Sequence, residues 1–179
     1  MTAGGVADEV ASTWPAVADD ELREGVHGLF TEVVRSGGAV GWECPPRRAA
    51  IDAWLDSTLM AVRSGDGGLV VLGDPAAPLA MGTWRRADRA VHRHVAELSK
   101  VMSHPSARGR GLGRTVTTAL LEALPPAGVE IATLATRGNN AVAMALYGSL
   151  GFREYGRIPG GILAQEVRYD DVRFVLALT

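Results

Sequence analysis

The stretch Val101–Arg114, reading VMSHPSARGRGLGR, most constrains what this chain can fold into. An apolar, strand-like run enters it, and an alanine- and leucine-rich helical run leaves it. Between them Gly109, Gly111 and Gly113 alternate with Arg110 and Leu112 after Arg108. Glycines remove side chains, so a ligand can approach the backbone closely. Free amides at the start of the next helix, at the positive end of its dipole, make an anion site. Arg108, Arg110 and Arg114 add guanidinium donors suited to phosphate. The run reads as a pyrophosphate cradle, with a Gly/Arg-rich solvated turn as the plain alternative. It is not a P-loop, because it ends Gly113-Arg114-Thr115 without a lysine. Glycines at 109, 111 and 113 also miss the dinucleotide-binding spacing.

The 179 residues are 47% hydrophobic and 21% charged, which suits one domain with a sizeable core. Residues 1–8 read as a flexible tail and 9–179 as the domain. A net charge of −2 and a pI near 6.1 exclude a generally basic nucleic-acid binder. Cys44 is the only cysteine, so neither an intrachain disulfide nor a cysteine-rich metal site can form. His92 and His94 lack a carboxylate or cysteine partner nearby in sequence, and no metal is expected. The start carries Asp8 and Glu9 without a basic, then apolar, leader pattern, and no later run is long and apolar enough to span a bilayer. Cytoplasmic residence, with neither membrane nor nucleic acid as partner, is the expectation.

Taken in order, Val10–Trp14 reads as a short strand. Leu22, Val26, Leu29, Phe30 and Val33 recur at helical spacing from about Asp19 to Arg35, and Ser36-Gly37-Gly38 ends that helix. Ala39–Pro46 is a loop in which Trp42 is either a core-edge anchor or part of a substrate pocket wall. Arg47–Arg63 is a second helix. Leu69–Leu72 and Leu79–Arg85 are strands, with solvated arginines and histidines at the tip that follows. Val91–Met102 reads as one long strand: Val95, Glu97, Ser99 and Val101 face one way, and Ala96, Leu98, Lys100 and Met102 the other. A helix over Gly111–Leu124 stops at Pro125-Pro126 and crosses over to a parallel strand, Val129–Thr136. A fourth helix, Asn140–Leu150, takes Asn139 as N-cap and Gly151 as C-cap. Phe152–Arg157 is a strand, Ile158–Asp170 a mobile loop pivoting at Gly160-Gly161, and Val172–Leu178 a half-buried last strand.

Two motifs stand in this order. Arg108, Gly111 and Gly113 match R/Q-x-x-G-x-G/A, and Asn140, Ala143, Tyr147, Gly151 and Phe152 match N-x-x-A-x-x-x-Y-x-x-x-G-F. Together they resemble the GNAT N-acetyltransferase superfamily over roughly Leu69–Leu178. AELSKVMSHPSARGRGLGR and GGAVGWECPP further resemble tabtoxin-resistance-type acetyltransferases. The resemblance implies an α/β fold of the α+β type: a mixed, mostly antiparallel sheet of six to seven strands flanked by four helices. It implies acetyl transfer from acetyl-coenzyme A to a primary amine of a small molecule, such as an antibiotic or toxin to be detoxified, by direct attack through a tetrahedral intermediate. Other readings are a protein or peptide N-acetyltransferase and a non-catalytic acyl-coenzyme A sensor. Edge strands near the C-terminus offer pairing with a second copy, and a homodimer is among the implied partners.

Roles carry over position by position. The amides and side chains of Arg108, Gly109, Arg110, Gly111, Leu112, Gly113 and Arg114 would hold the coenzyme A pyrophosphate. A bulge near Val101 and Met102 would present backbone to the pantetheine arm and an N–H to the thioester oxygen. Asn140 would bond the pantetheine or the helix start. Tyr147 would contact the cofactor sulfur and protonate the leaving thiolate, against the plainer reading of a core aromatic. Glu97 is the expected general base or a substrate-binding carboxylate, and Trp42 a substrate contact. Glu97 lies four residues from Val101, about 13 Å along a regular strand, so a water relay or the strand bulge must close the gap. Leu134-Ala135-Thr136 offers no second carboxylate on the next strand. That leaves Glu97 alone, or aided by the segment carrying Glu166, Asp170 and Asp171.

Overall fold

In this computed structural model, which describes residues 10–178, one seven-stranded sheet carries four helices. The expected tail at residues 1–8 lies outside the described residues. The elements are β1 (Ser12–Thr13), α1 (Asp20–Arg35), α2 (Arg48–Arg63), β2 (Gly67–Asp74), β3 (Ala77–Arg86), β4 (Val95–Ser103), α3 (Leu112–Ala123), β5 (Ile131–Arg137), α4 (Ala141–Ser149), β6 (Arg153–Ala164) and β7 (Val167–Ala177). Strands run in the order β1-β2-β3-β4-β5-β7-β6, all neighbours antiparallel except β4 and β5. The parallel pair is joined through α3, as a crossover requires.

Two cores sandwich the sheet. On one face Leu112, Val116 and Leu120 of α3 pack with Val70, Leu72, Trp84, Ala96 and Leu98. On the other, Val26, Leu29 and Phe30 of α1 and Ile51, Leu55 and Leu59 of α2 pack with Leu69, Val71 and Met81. Asp19 caps α1 by accepting from the Leu22 amide at 2.9 Å. Gly25 brings α1 onto the β2–β3 turn, because a Cβ there would lie 2.1 Å from the Pro75 carbonyl oxygen. Alanine normally favours a helix over glycine by about 1 kcal/mol. Here the clash is with backbone, so Gly25→Ala is expected to destabilise by about 1–3 kcal/mol. A lower denaturant midpoint at unchanged m-value reads this out.

Strand β4 is where the sequence expectation changes most. It begins at Val95 and not at Val91, because Ala90–His92 turns as a 3₁₀ segment. Its side chains do not alternate uniformly. Opposite β3, Met102 pairs with Met81 but Ser99 pairs with Thr83, so β4 holds one extra residue, and Lys100 takes φ +53°. The bulge flips the phase. Ala96 and Leu98 face α3, but beyond the bulge Val101 packs there and Met102 packs toward α1 and α2. Strands β4 and β5 pair only from Val95↔Ile131 to Glu97↔Thr133 and then part. That splay is the architectural feature that opens the site.

Other boundaries move. The first strand is only Ser12–Thr13, and β2 extends from Gly67 to Asp74. The arginines after β3 are not all solvated. The Arg86 side chain is 9% exposed, bonding Asp66 and the carbonyls of Arg93 and Ala127. Helix α4 is capped by Asn140 and not Asn139, its Oδ1 accepting from the Ala143 amide at 3.2 Å. Leu150 is the C-cap, and Gly151 follows at φ +90°. Ile158–Asp170 is no mobile loop but the body of a long hairpin, β6–β7. Its two-residue turn, Gln165-Glu166, has both residues at positive φ, the geometry that matches strand twist. Register shifts at Glu154/Gly156 and Ile158/Ile162 absorb the glycines.

Candidate active site

The cradle loop follows β4 through a 3₁₀ turn, Pro105–Ala107. Gly109 and Gly111 both sit at φ +76°, and Gly111 caps α3. A Cβ at either would meet nothing within 4 Å, so it is the backbone conformation, not crowding, that calls for glycine. The amides of residues 109–113 have no acceptor among the described residues. Successive free N–H groups at a helix start make an anion-binding concavity. Leu112 itself is buried in the α3 core, so it offers its amide and not its side chain. Arg108 reaches the Ser36 hydroxyl at the end of α1, and Arg114 donates to Ser149 Oγ at 2.6 Å. Among the described residues, Arg108, Arg110 and Arg114 form no ion pair with a carboxylate.

A cavity of about 790 Å³ runs from this loop into the β4–β5 splay. Of the expected cofactor contacts, Val101, Met102, Arg108, Gly109, Gly111, Leu112, Gly113, Arg114, Asn140 and Tyr147 line it, and Arg110 does not. Val101 and Met102 turn their side chains into the two cores, so what β4 offers the cavity is backbone. Asn140 spends its Oδ1 on the helix cap, which leaves its Nδ2 hydrogens as donors.

Tyr147 is buried, its ring 5.9 Å from that of Phe152 and 6.1 Å from that of Phe174. Burial pushes its phenol up to about 12. A neutral acid whose pKa is raised from 10 stays protonated at neutral pH. Any stability this confers is complete below pH 10 and is lost as pH climbs toward 12.

Glu97 and Trp42 are not walls of this cavity. Glu97 is exposed on β4, paired with Arg85 and Thr133. Trp42 packs edge-on to Phe30 at 5.0 Å, as a core-edge anchor would. Lys100 links the two. Its ammonium donates to the Val40 carbonyl at 2.7 Å and lies 4.8 Å from the Trp42 ring centroid. Burial lowers its pKa, and the charge of Glu97 opposes that shift. A Cβ on Gly41 would come within 2.8 Å of the Lys100 Nζ. The bulge residue thus pins the α1–α2 loop over the sheet.

Two groups outside the expected set also wall the cavity, Ser36–Val40 at the end of α1 and Arg137 at the end of β5. The Gly37-Gly38 pair was a usable signal for close backbone approach. Arg137 had none, because its place depends on the β5–β7 register. No cluster of His, Cys, Asp or Glu among the described residues is placed to hold a metal ion. No helix there is long and apolar enough to cross a membrane.

Comparison with known proteins agrees with this geometry. The family model described as "Acetyltransferase (GNAT) family" matches residues 29–152. A mycothiol acetyltransferase of Nocardia farcinica is 32% identical over 146 residues, covering 80% of this chain and 45% of its own length. An L-methionine sulfoximine/L-methionine sulfone acetyltransferase of Pseudomonas paraeruginosa is 27% identical over 140 residues, 75% of this chain and 77% of that protein. The chain spans less than half the length of the mycothiol acetyltransferases it matches. In fold, it superposes on a phosphinothricin acetyltransferase from Sinorhizobium meliloti solved with acetyl-coenzyme A. The TM-score is 0.77 at 21% identity, over 93% of this chain and 88% of that one.

Proposed function

The chain belongs to the GNAT acetyltransferase family, and from that premise we propose that it transfers an acetyl group from acetyl-coenzyme A to the primary amine of a small molecule. The observation that carries the reading is the cavity that joins the free amides of residues 109–113 to Tyr147 through the β4–β5 splay. Its donor set fits the cofactor: unspent amides and uncompensated arginines for the diphosphate, and apolar Val142 and Leu146 beside a slender arm. When bound, acetyl-coenzyme A supplies the thioester carbonyl that a neutral amine attacks.

The chain's own residues divide the remaining work. The amides of 109–113, with Arg108 and Arg114, hold the diphosphate. The β4 backbone beyond Glu97, left without a partner strand on its β5 side, and the Asn140 amide orient the arm. An alkylammonium, with a pKa of about 10, must lose a proton first. Glu97 receives it through water, since its side chain is not a wall of the cavity. Tyr147 donates to the departing sulfur. Trp42, held by Lys100, shapes the acceptor side.

A small acceptor is favoured over a peptide because the β6–β7 hairpin reaches across. The Gln165 amide donates to Glu43 Oε1 of the α1–α2 loop at 3.2 Å, bridging over the acceptor face. Thiol release from acetyl-coenzyme A, followed with a panel of small amines beside short peptides bearing free N-termini, tests the reading. Saturable turnover with a small amine and none with the peptides is expected. The reverse pattern would make the chain a peptide acetyltransferase. Cofactor binding with no turnover on any amine would make it a sensor.

A further inference from the structure

Arg137 is the last residue of β5 and a wall of the cavity where β4 and β5 have parted. The register fixes which way it faces. Glu97 pairs with Thr133, and Arg137 lies four residues further along the same strand, so both side chains share one face. That is the face covered by α1 and α2 over β2 and β3, opposite the face on which α3 packs. Arg137 thus stands on the side from which Glu97 would serve an acceptor.

Its guanidinium is already oriented. Nη2 donates to the Gly37 carbonyl at 3.1 Å and Nε to Asn139 Oδ1 at 2.7 Å, and the guanidinium centre lies 4.7 Å from the Tyr169 ring centroid. Nη1 makes no bond to a protein group among the described residues. Nor does Arg137 form an ion pair with any carboxylate there. The acid beside it, its cross-strand partner Asp171, is turned to Arg173 at 3.0 Å. A rigid fork with unspent donors, open to a cavity and lacking a counterion, is built to receive a planar anion. The cofactor's diphosphate has its own amides at the start of α3. The cofactor's other phosphate, on the adenosine ribose, lies beyond the diphosphate from the thioester end, so an anion at the β4–β5 splay would come from the other substrate.

We propose that Arg137 binds a carboxylate of the acceptor, so that the amines acetylated here are those of free amino acids. The inference rests on the acetyl-transfer reading above, and its test separates the two.

The test titrates common L-amino acids and L-methionine sulfone, each beside its own carboxamide, into protein saturated with free coenzyme A, so that binding is read without turnover. The best acid is expected to bind about 10- to 100-fold more tightly than its amide, the range for losing hydrogen bonds to a charged group. Arg137→Gln should erase that difference, Arg137→Lys should restore part of it, and both should leave acetyl-coenzyme A affinity unchanged. A residue that merely tied down the end of α1 would, on substitution, weaken acids and amides alike. That result, or equal binding of acids and amides by the unaltered protein, or a loss of cofactor affinity in Arg137→Gln, would overturn the proposal. If no acid binds while acetyl-coenzyme A does, the acceptor is not an amino acid and the acetyl-transfer reading stands. If acetyl-coenzyme A itself fails to bind, that reading falls as well.

Discussion

Gly111→Glu is expected to cut acetyl-coenzyme A affinity by at least about 100-fold while leaving the chain folded. Two effects combine. At φ +76° a residue with a Cβ costs about 1–2 kcal/mol that glycine does not. The new carboxylate then stands where the diphosphate must bind. Two unit charges 4 Å apart repel by about 4 kcal/mol at an effective dielectric constant of 20, which is roughly a thousandfold in affinity. Solvent at this exposed position weakens the repulsion without removing it. Folding is spared because a Cβ at 111 meets nothing within 4 Å. Gly111→Ala separates the terms, since it carries the backbone strain alone and should lose far less affinity. Calorimetry, with circular dichroism as the folding control, reads both variants. Retained affinity in a folded Gly111→Glu protein would remove the cradle from the account.

Tyr147→Phe is expected to lower kcat by about 10²- to 10³-fold with cofactor affinity intact, the range for losing one preorganised hydrogen-bond donor to developing charge. The phenyl ring keeps its packing against Phe152 and Phe174, so only the hydroxyl is lost. Burial holds that hydroxyl neutral up to about pH 12, so it remains a donor throughout any practical assay range. The variant should therefore run parallel to the unaltered enzyme across pH, displaced downward. Against a thiol pKa of about 8.5, complete transfer from such a phenol is uphill by about 5 kcal/mol. Tyr147 thus acts chiefly by donating a hydrogen bond to the sulfur as it departs. Equal kcat in the variant would return Tyr147 to the core.

The local parts of the site were legible in the sequence because local chemistry determines them. Arg108–Gly113 declares a cradle through glycines at positions that need positive φ, and Asn140–Phe152 announces a capped helix carrying Tyr147. Helices α1 and α2 follow from apolar spacing. What stayed hidden depends on pairing between distant segments. A lysine gives no hint of left-handed backbone, yet Lys100 shifts the phase of β4 and so separates the facing of Val101 from that of Glu97. Gln165-Glu166 lacks the Asn-Gly or Asp-Gly signature of a tight turn, so the hairpin read as a loop. Asn139 and Asn140 are equally suited in type to cap the helix, and only the hydrogen bond from the Ala143 amide assigns the cap to Asn140. Arg137 reaches Gly37 across 100 residues of sequence, a contact no pattern in the chain foretells.

The most direct measurement is calorimetric titration of the unaltered, folded protein with acetyl-coenzyme A. Saturable binding with one cofactor per chain, of which coenzyme A retains most and dephosphorylated pantetheine little, is the result that free amides and uncompensated arginines around one cavity require. Absence of binding by a demonstrably folded protein would contradict the account at its root and leave the glycine run as a turn between a strand and a helix.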